Sequence, residues 1–178
     1  MLFVFISCNR IIIMSPLSNF EKIGNDFDGY WLLEKNNIKQ NAYFKIKKKN
    51  ELFLELIACT IIPSNDNIVF DNVGIVKIGT KMILHYGSKN KGYAIYDLEK
   101  ISVNKYKLRT YSTSFIKNAI EDKKIIGKIS TANNYSTILL SDSDKIIKQF
   151  FVFNLDNNSL YGDNYFLSRV DNLNLFCK

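Results

Sequence analysis

Asn25-Asp26-Phe27-Asp28-Gly29-Tyr30-Trp31-Leu32-Leu33-Glu34 holds the only tryptophan of the 178-residue chain, two residues after a glycine. Turn-forming residues come first and an apolar run follows. The stretch therefore predicts a strand from about Tyr30 to Lys35, with Gly29-x-Trp31 at its opening. Downstream of it, short alternating segments are separated by turns.

The segment from Asn41 to Lys48 sets Ala42, Phe44 and Ile46 against Tyr43, Lys45 and Lys47. A period of two gives one dry face and one wet face, as in a half-buried strand. Glu51 to Thr60 repeats the pattern with Leu52, Leu54 and Leu56. Pro63-Ser64-Asn65-Asp66-Asn67 is a loop by composition. Short strands are expected at Ile68 to Phe70, Gly74 to Ile78, Lys81 to Tyr86, Gly92 to Leu98 and Ile101 to Tyr111. In the last of these, Tyr106, Leu108 and Thr110 oppose Lys105, Lys107 and Arg109. Strands recur about every ten residues, as in antiparallel sandwiches and barrels. Helix-sized spacers are missing between most of them, which argues against a parallel βαβ sheet.

Ser112 to Asp122 has a helical face of Phe115, Ile116, Ala119 and Ile120, with Ser112 or Thr113 to cap it. Strands resume at Lys124 to Ser130 and Ser136 to Leu140. A late helix follows. Ser141 is placed to cap it, Asp144 sits three residues on, and Ile146, Ile147, Phe150 and Phe153 are expected to share an apolar stripe. A short strand at Ser159 to Tyr161 and a last one at Tyr165 to Val170 complete the chain. The fold class is thus mainly β: an antiparallel up-and-down barrel of about eight or more strands, with a short late helix packed on it.

Upstream, residues 1 to 25 read as a leader and lead-in, and residues 26 to 178 as one domain. The apolar runs around Asn9-Arg10 are too short to span a membrane as a helix. Phe5-Ile6-Ser7-Cys8 is similar to a bacterial lipobox, with Cys8 as the residue that would be acylated. The alternative reading is an ordinary buried N-terminal segment with an incidental cysteine. An apolar fraction of 47% excludes a disordered chain. The net charge of +7 admits an anionic partner. Its densest run, Lys45-Ile46-Lys47-Lys48-Lys49, has no nucleic-acid motif beside it, so nucleic acid is not expected, and loose attraction to anionic headgroups is at least as good a match.

Three features together resemble the lipocalin-like (calycin) barrels, in particular divergent bacterial lipocalin-like lipoproteins. They are Gly29-x-Trp31 opening the first strand, the late helix, and Arg169 within the terminal Tyr165-Phe166-Leu167-Ser168-Arg169-Val170. The resemblance spans residues 26 to 172. It implies that Trp31 closes one end of the barrel and that Arg169 packs across its indole as a structural cation–π pair. It also implies that an apolar ligand, if bound, lies at the opposite end. The helix before the final strands departs from typical members, which carry it after the barrel. If Cys8 is acylated, Cys59 and Cys177 remain to form the tail-to-barrel disulfide found in many lipocalins; otherwise Cys59 reads as a small buried apolar residue.

Catalysis has little to draw on. His85 is the only histidine, which excludes a multi-histidine metal site and leaves no triad, and it reads as a hydrogen-bonded strand residue. The cysteines lack C-x-x-C spacing. Asp26, Asp28, Asp142 and Asp144 sit at turns and caps. The expectation is a non-enzymatic, monomeric protein without cofactor, exported to a bacterial envelope, either lipid-anchored or periplasmic. It would bind a small hydrophobic ligand. The alternative is a filled barrel serving as a structural or surface interaction lipoprotein.

Overall fold

The computed structural model describes residues 10–35, 38–59, 69–88, 90–132 and 135–171. In chain order the elements begin with β1 (Arg10–Ile13), a 3-10 turn (Asn25–Phe27), β2 (Gly29–Lys35), β3 (Ile38–Lys48), β4 (Phe53–Cys59) and β5 (Val69–Ile78). Then come β6 (Lys81–Ser88), β7 (Gly92–Ser102), β8 (Lys105–Tyr111), α1 (Thr113–Glu121), β9 (Gly127–Ala132) and β10 (Tyr135–Leu140). The chain continues with α2 (Asp144–Asn154), a second 3-10 turn (Asn158–Leu160) and β11 (Tyr161–Val170).

Strands β2 to β8 form an antiparallel meander, and β11 returns between β8 and β2 to close the ring. This is a closed eight-stranded up-and-down barrel, the mainly-β class expected from the alternation. Inward residues of every strand build one core, including Trp31, Phe44, Leu54, Val73, Leu84, Leu98, Tyr106 and Leu167. The inward set of β8 is the one the period of two selects.

A second core lies outside the ring. Val76, Ile78, Ile83 and Ile95 point outward from β5, β6 and β7, and β1, β10, α1 and α2 cover them. The attachment is by backbone. On one edge, β7 pairs with β8 from Asp97 onward, while its first residues, Tyr93 and Ala94, pair with β1. β1 runs parallel to β10, which pairs with β9.

The N-terminal segment is part of this construction. Ile11, Ile13, Leu17 and Ile23 are buried. Glu21 N–H donates to Ile75 O at 2.7 Å and Ile23 N–H to Glu51 O at 2.7 Å. Phe20 lies against Gly74, where a Cβ would come within 2.5 Å of its ring. The folded unit therefore starts upstream of residue 26. Residues 1–9, with Cys8, lie outside the described residues.

Other expectations change in detail. Val69-Phe70 and Gly74 to Ile78, expected in two strands, belong to one, β5, whose irregular register falls between Leu54 and Leu56 of its partner and whose Asn72 has φ 56°; Ile68 lies outside the described residues. Of the expected strand Ser159 to Tyr161, Ser159 and Leu160 lie in the second 3-10 turn, and Tyr161 begins β11, which runs on to Val170 with an irregularity between Tyr161 and Asn164. The helical reading of Ser112 to Asp122 holds for α1, and Ser112 Oγ accepts from Phe115 N–H at 3.3 Å. In α2 the N-cap is Ser143, not Ser141. Asp144 forms no capping box; its carboxylate accepts from Ser18 Oγ–H and pairs with Lys148 at 3.2 Å. The buried stripe is Ile147, Phe150 and Phe151, leaving Ile146 and Phe153 in solvent. Ile147 and Phe150 belong to both the expected and the observed stripe, and Phe151 takes the place of Ile146 and Phe153.

His85 ties the N-terminal segment to the barrel wall. Its Nε2 accepts from Leu17 N–H at 3.4 Å, its ring stacks on Tyr93 at 4.7 Å, and Phe20 meets it edge-on at 5.4 Å. It is 2% exposed. Burial pushes the imidazole down to about 4 from its ordinary 6.5, although Asp144 acts the other way. The unfolded chain thus takes up a proton near pH 6.5 that the folded chain refuses until about pH 4. Stability should fall with pH across that window, by on the order of 3 kcal/mol from this group. His85→Gln keeps an acceptor for Leu17 and removes the titration. Urea unfolding of both proteins from pH 7 to pH 4 should give a flatter profile for the variant; a constant difference between them would show that His85 is not held neutral.

Candidate functional site

One end of the barrel is closed by the stretch quoted first. The 3-10 turn Asn25–Phe27 folds across the opening, and Gly29 leaves it at φ 136°, a conformation that favours glycine. Trp31 is fully buried and its Nε1–H donates to Phe27 O at 2.8 Å. Phe27 stacks on Tyr106 at 4.7 Å, and Trp31 meets Tyr106 at 5.7 Å. Asp28 Oδ1 accepts from Lys48 N–H at 2.6 Å and anchors the turn to β3.

Arg169 sits directly opposite Trp31 in the β11–β2 ladder. Its guanidinium lies 5.0 Å from the indole centroid and donates to Asp26 O at 2.5 Å. Lys100, 2.7 Å from Asp26, donates to its carboxylate and holds that group below the usual range. Trp31 and Arg169 are thus brought together at the closed end, where they hold the plug and face no ligand space.

Beyond the plug the barrel encloses a cavity of ≈ 80 Å³ to which all eight strands contribute. Leu33, Phe44, Leu54, Leu84, Leu98 and Leu167 form buried parts of its wall. Phe70, Tyr86 and Tyr96 are only half-buried. Tyr86 stacks parallel to Tyr96 at 6.1 Å and takes the edge of Phe70 at 5.4 Å. Tyr86 and Phe70 stand near strand ends remote from the plug, because β6 finishes and β5 begins at that side of the meander. Every lining side chain is aliphatic or aromatic. The volume is small beside the about 300–1,000 Å³ of typical ligand pockets.

A buried ion pair lies on the outer side of the wall. Asp97 is fully buried and receives Arg109 Nε–H at 2.8 Å, with Nη2 2.7 Å from the same oxygen. Arg109 also covers the Tyr161 ring at 3.7 Å. Burial pushes the Asp97 carboxyl up despite Arg109. Its other oxygen and the Tyr111 hydroxyl have no hydrogen-bond partner among the described residues. Among those residues no three His, Cys, Asp or Glu side chains are grouped so as to hold a metal ion.

Cys59 is buried at the end of β4 and is disulfide-bonded. Its partner lies outside the described residues, as do Cys177 and Cys8. The sequence pattern does not single out the cavity lining as a set. The inward parity of β3, β4 and β8 was available as a signal. In β5 to β7 both faces are apolar, so parity alone does not say which side is the interior. Comparison of the chain with protein-family models, curated proteins and solved structures finds no match.

The plug makes a direct prediction. Arg169→Met keeps the aliphatic stem but loses the charge over Trp31 and the bond to Asp26 O. It should lower stability by about 2 kcal/mol, measured by urea unfolding with the single tryptophan as reporter. An unchanged midpoint would show that the guanidinium contributes nothing to closing the barrel.

Proposed function

We propose that this protein is a non-enzymatic, lipocalin-like binding protein that admits a slender apolar ligand into its barrel from the end opposite Trp31. The observation that carries this reading is the cavity whose whole lining, drawn from all eight strands, is aliphatic or aromatic. Such a lining attracts a group that gains by leaving water and offers none of the convergent polar groups that a reaction needs. The volume suits the end of an alkyl chain. A bulkier ligand would require Phe70, Tyr86 and Tyr96 to turn aside.

The lipobox-like Phe5-Ile6-Ser7-Cys8 supports the further reading that the protein is exported and tethered by an acyl group on Cys8, acting there as a monomer. Among the described residues no helix is long and apolar enough to cross a membrane. With Cys8 acylated, Cys177 would be the partner of Cys59. A second reading, a filled barrel acting as a surface interaction protein, is favoured by the small interior volume and by the exposed apolar side of α2.

Methyl NMR with a straight-chain alcohol as probe separates the two. In the first reading the Leu84 and Leu98 methyls shift on addition, and Leu84→Phe, which narrows the cavity, weakens binding about tenfold or more. Shifts confined to surface methyls, or a folded Leu84→Phe protein that binds equally well, would favour the filled barrel. Native mass spectrometry of protein from the host envelope should show the acyl group on Cys8; an unmodified full-length chain would remove the anchor.

A further inference from the structure

Helix α2 rests on the barrel through Ile147, Phe150 and Phe151, so its opposite face meets solvent. That face is not polar. Phe153 is 85% exposed, Val152 46% and Ile146 44%. At about 100° per residue, Ile146, Gln149, Val152 and Phe153 share the outer side of the helix with Lys145. Grooves of ≈ 370 and ≈ 320 Å³ flank Phe153 and leave it standing clear between them.

Lysines border both grooves. Lys124 lines one with Ile146 and Phe153, and Lys145 and Lys148 line the other with Val152 and Phe153. Lys124 is paired with Asp122 at 2.8 Å and Lys148 with Asp144 at 3.2 Å. Lys123 and Lys145 form no ion pair among the described residues.

We propose that this face of α2 docks on an anionic lipid surface. Phe153, Val152 and Ile146 enter the boundary between headgroups and acyl chains, and Lys124, Lys145 and Lys148 meet headgroup phosphates. Two observations choose this occupant. The apolar side chains project separately between grooves, and a fluid interface accepts such projections without needing a matching shape. The charge is complementary too: the two grooves are lined by three ammonium groups, Lys124, Lys145 and Lys148, and one carboxylate, Asp144, on a chain of net charge +7. The surface uses none of the cavity residues, so it stands or fails apart from ligand binding.

The test uses the full chain with Cys8→Ser, so that no acyl group at residue 8 contributes. It is sedimented with vesicles of phosphatidylcholine alone or with phosphatidylglycerol added. Binding should require phosphatidylglycerol, weaken with salt, and fall about tenfold or more in Phe153→Ser. Phe153 is almost wholly exposed, so that variant keeps the fold, as circular dichroism would verify. Equal binding by Phe153→Ser, or no binding by either protein, overturns the proposal. So does a concentration-dependent dimer that Phe153→Ser abolishes, since the face would then pair with a second copy.

Discussion

A strand has two edges, and β7 needs three partners. It satisfies β6 along one edge and divides the other between β8 and β1. Barrel closure and the attachment of the outer layer are therefore decided on the same strand. Where the edge forks, the first β8 rung is Asp97 opposite Arg109. A buried carboxylate is costly unless it is paired, and the cross-strand guanidinium is the partner that makes this junction tolerable.

The fork also explains why the fold has two cores. Once β1 leaves the ring alongside β7, β10 and β9 extend a side sheet past the barrel, and α1 and α2 fill the angle. The outer faces of β5 to β7 become interior. His85, on β6, then lies between layers and is held as a neutral acceptor for the N-terminal segment. Asp97 and His85 respond oppositely to acid. Asp97 is kept protonated to higher pH than when unfolded, whereas His85 resists protonation.

The barrel interior is largely closed by its own side chains, in keeping with small eight-stranded barrels. The space that remains is apolar throughout, and the aromatic tier of Phe70, Tyr86 and Tyr96 governs its width. The two proposed roles divide between this narrow interior and the outer face of α2, two surfaces on different elements with different chemistry.

The sequence by itself determined the class of fold and much of the closed end. Alternation in β3 and β8 identifies their inward faces, because only one face of each is apolar. The turn before Gly29 marks the start of one strand at the plug, and the resemblance carried by Gly29-x-Trp31 and Arg169 implies the other. Tertiary structure decided the rest. Arg10–Ile13 reads as leader-like because three isoleucines in a row show no alternation, although Ile11 and Ile13 are buried and Ile12 is half-buried. Parity could not select the interior of β5 to β7, since covering by β1, β10 and the helices makes both faces apolar. Along α2, apolar residues occupy most of the turn, and only its seating on the barrel chose Ile147, Phe150 and Phe151 over Ile146 and Phe153. Periodicity reports how many sides of an element are dry; what lies against each side is set by chain segments distant in sequence.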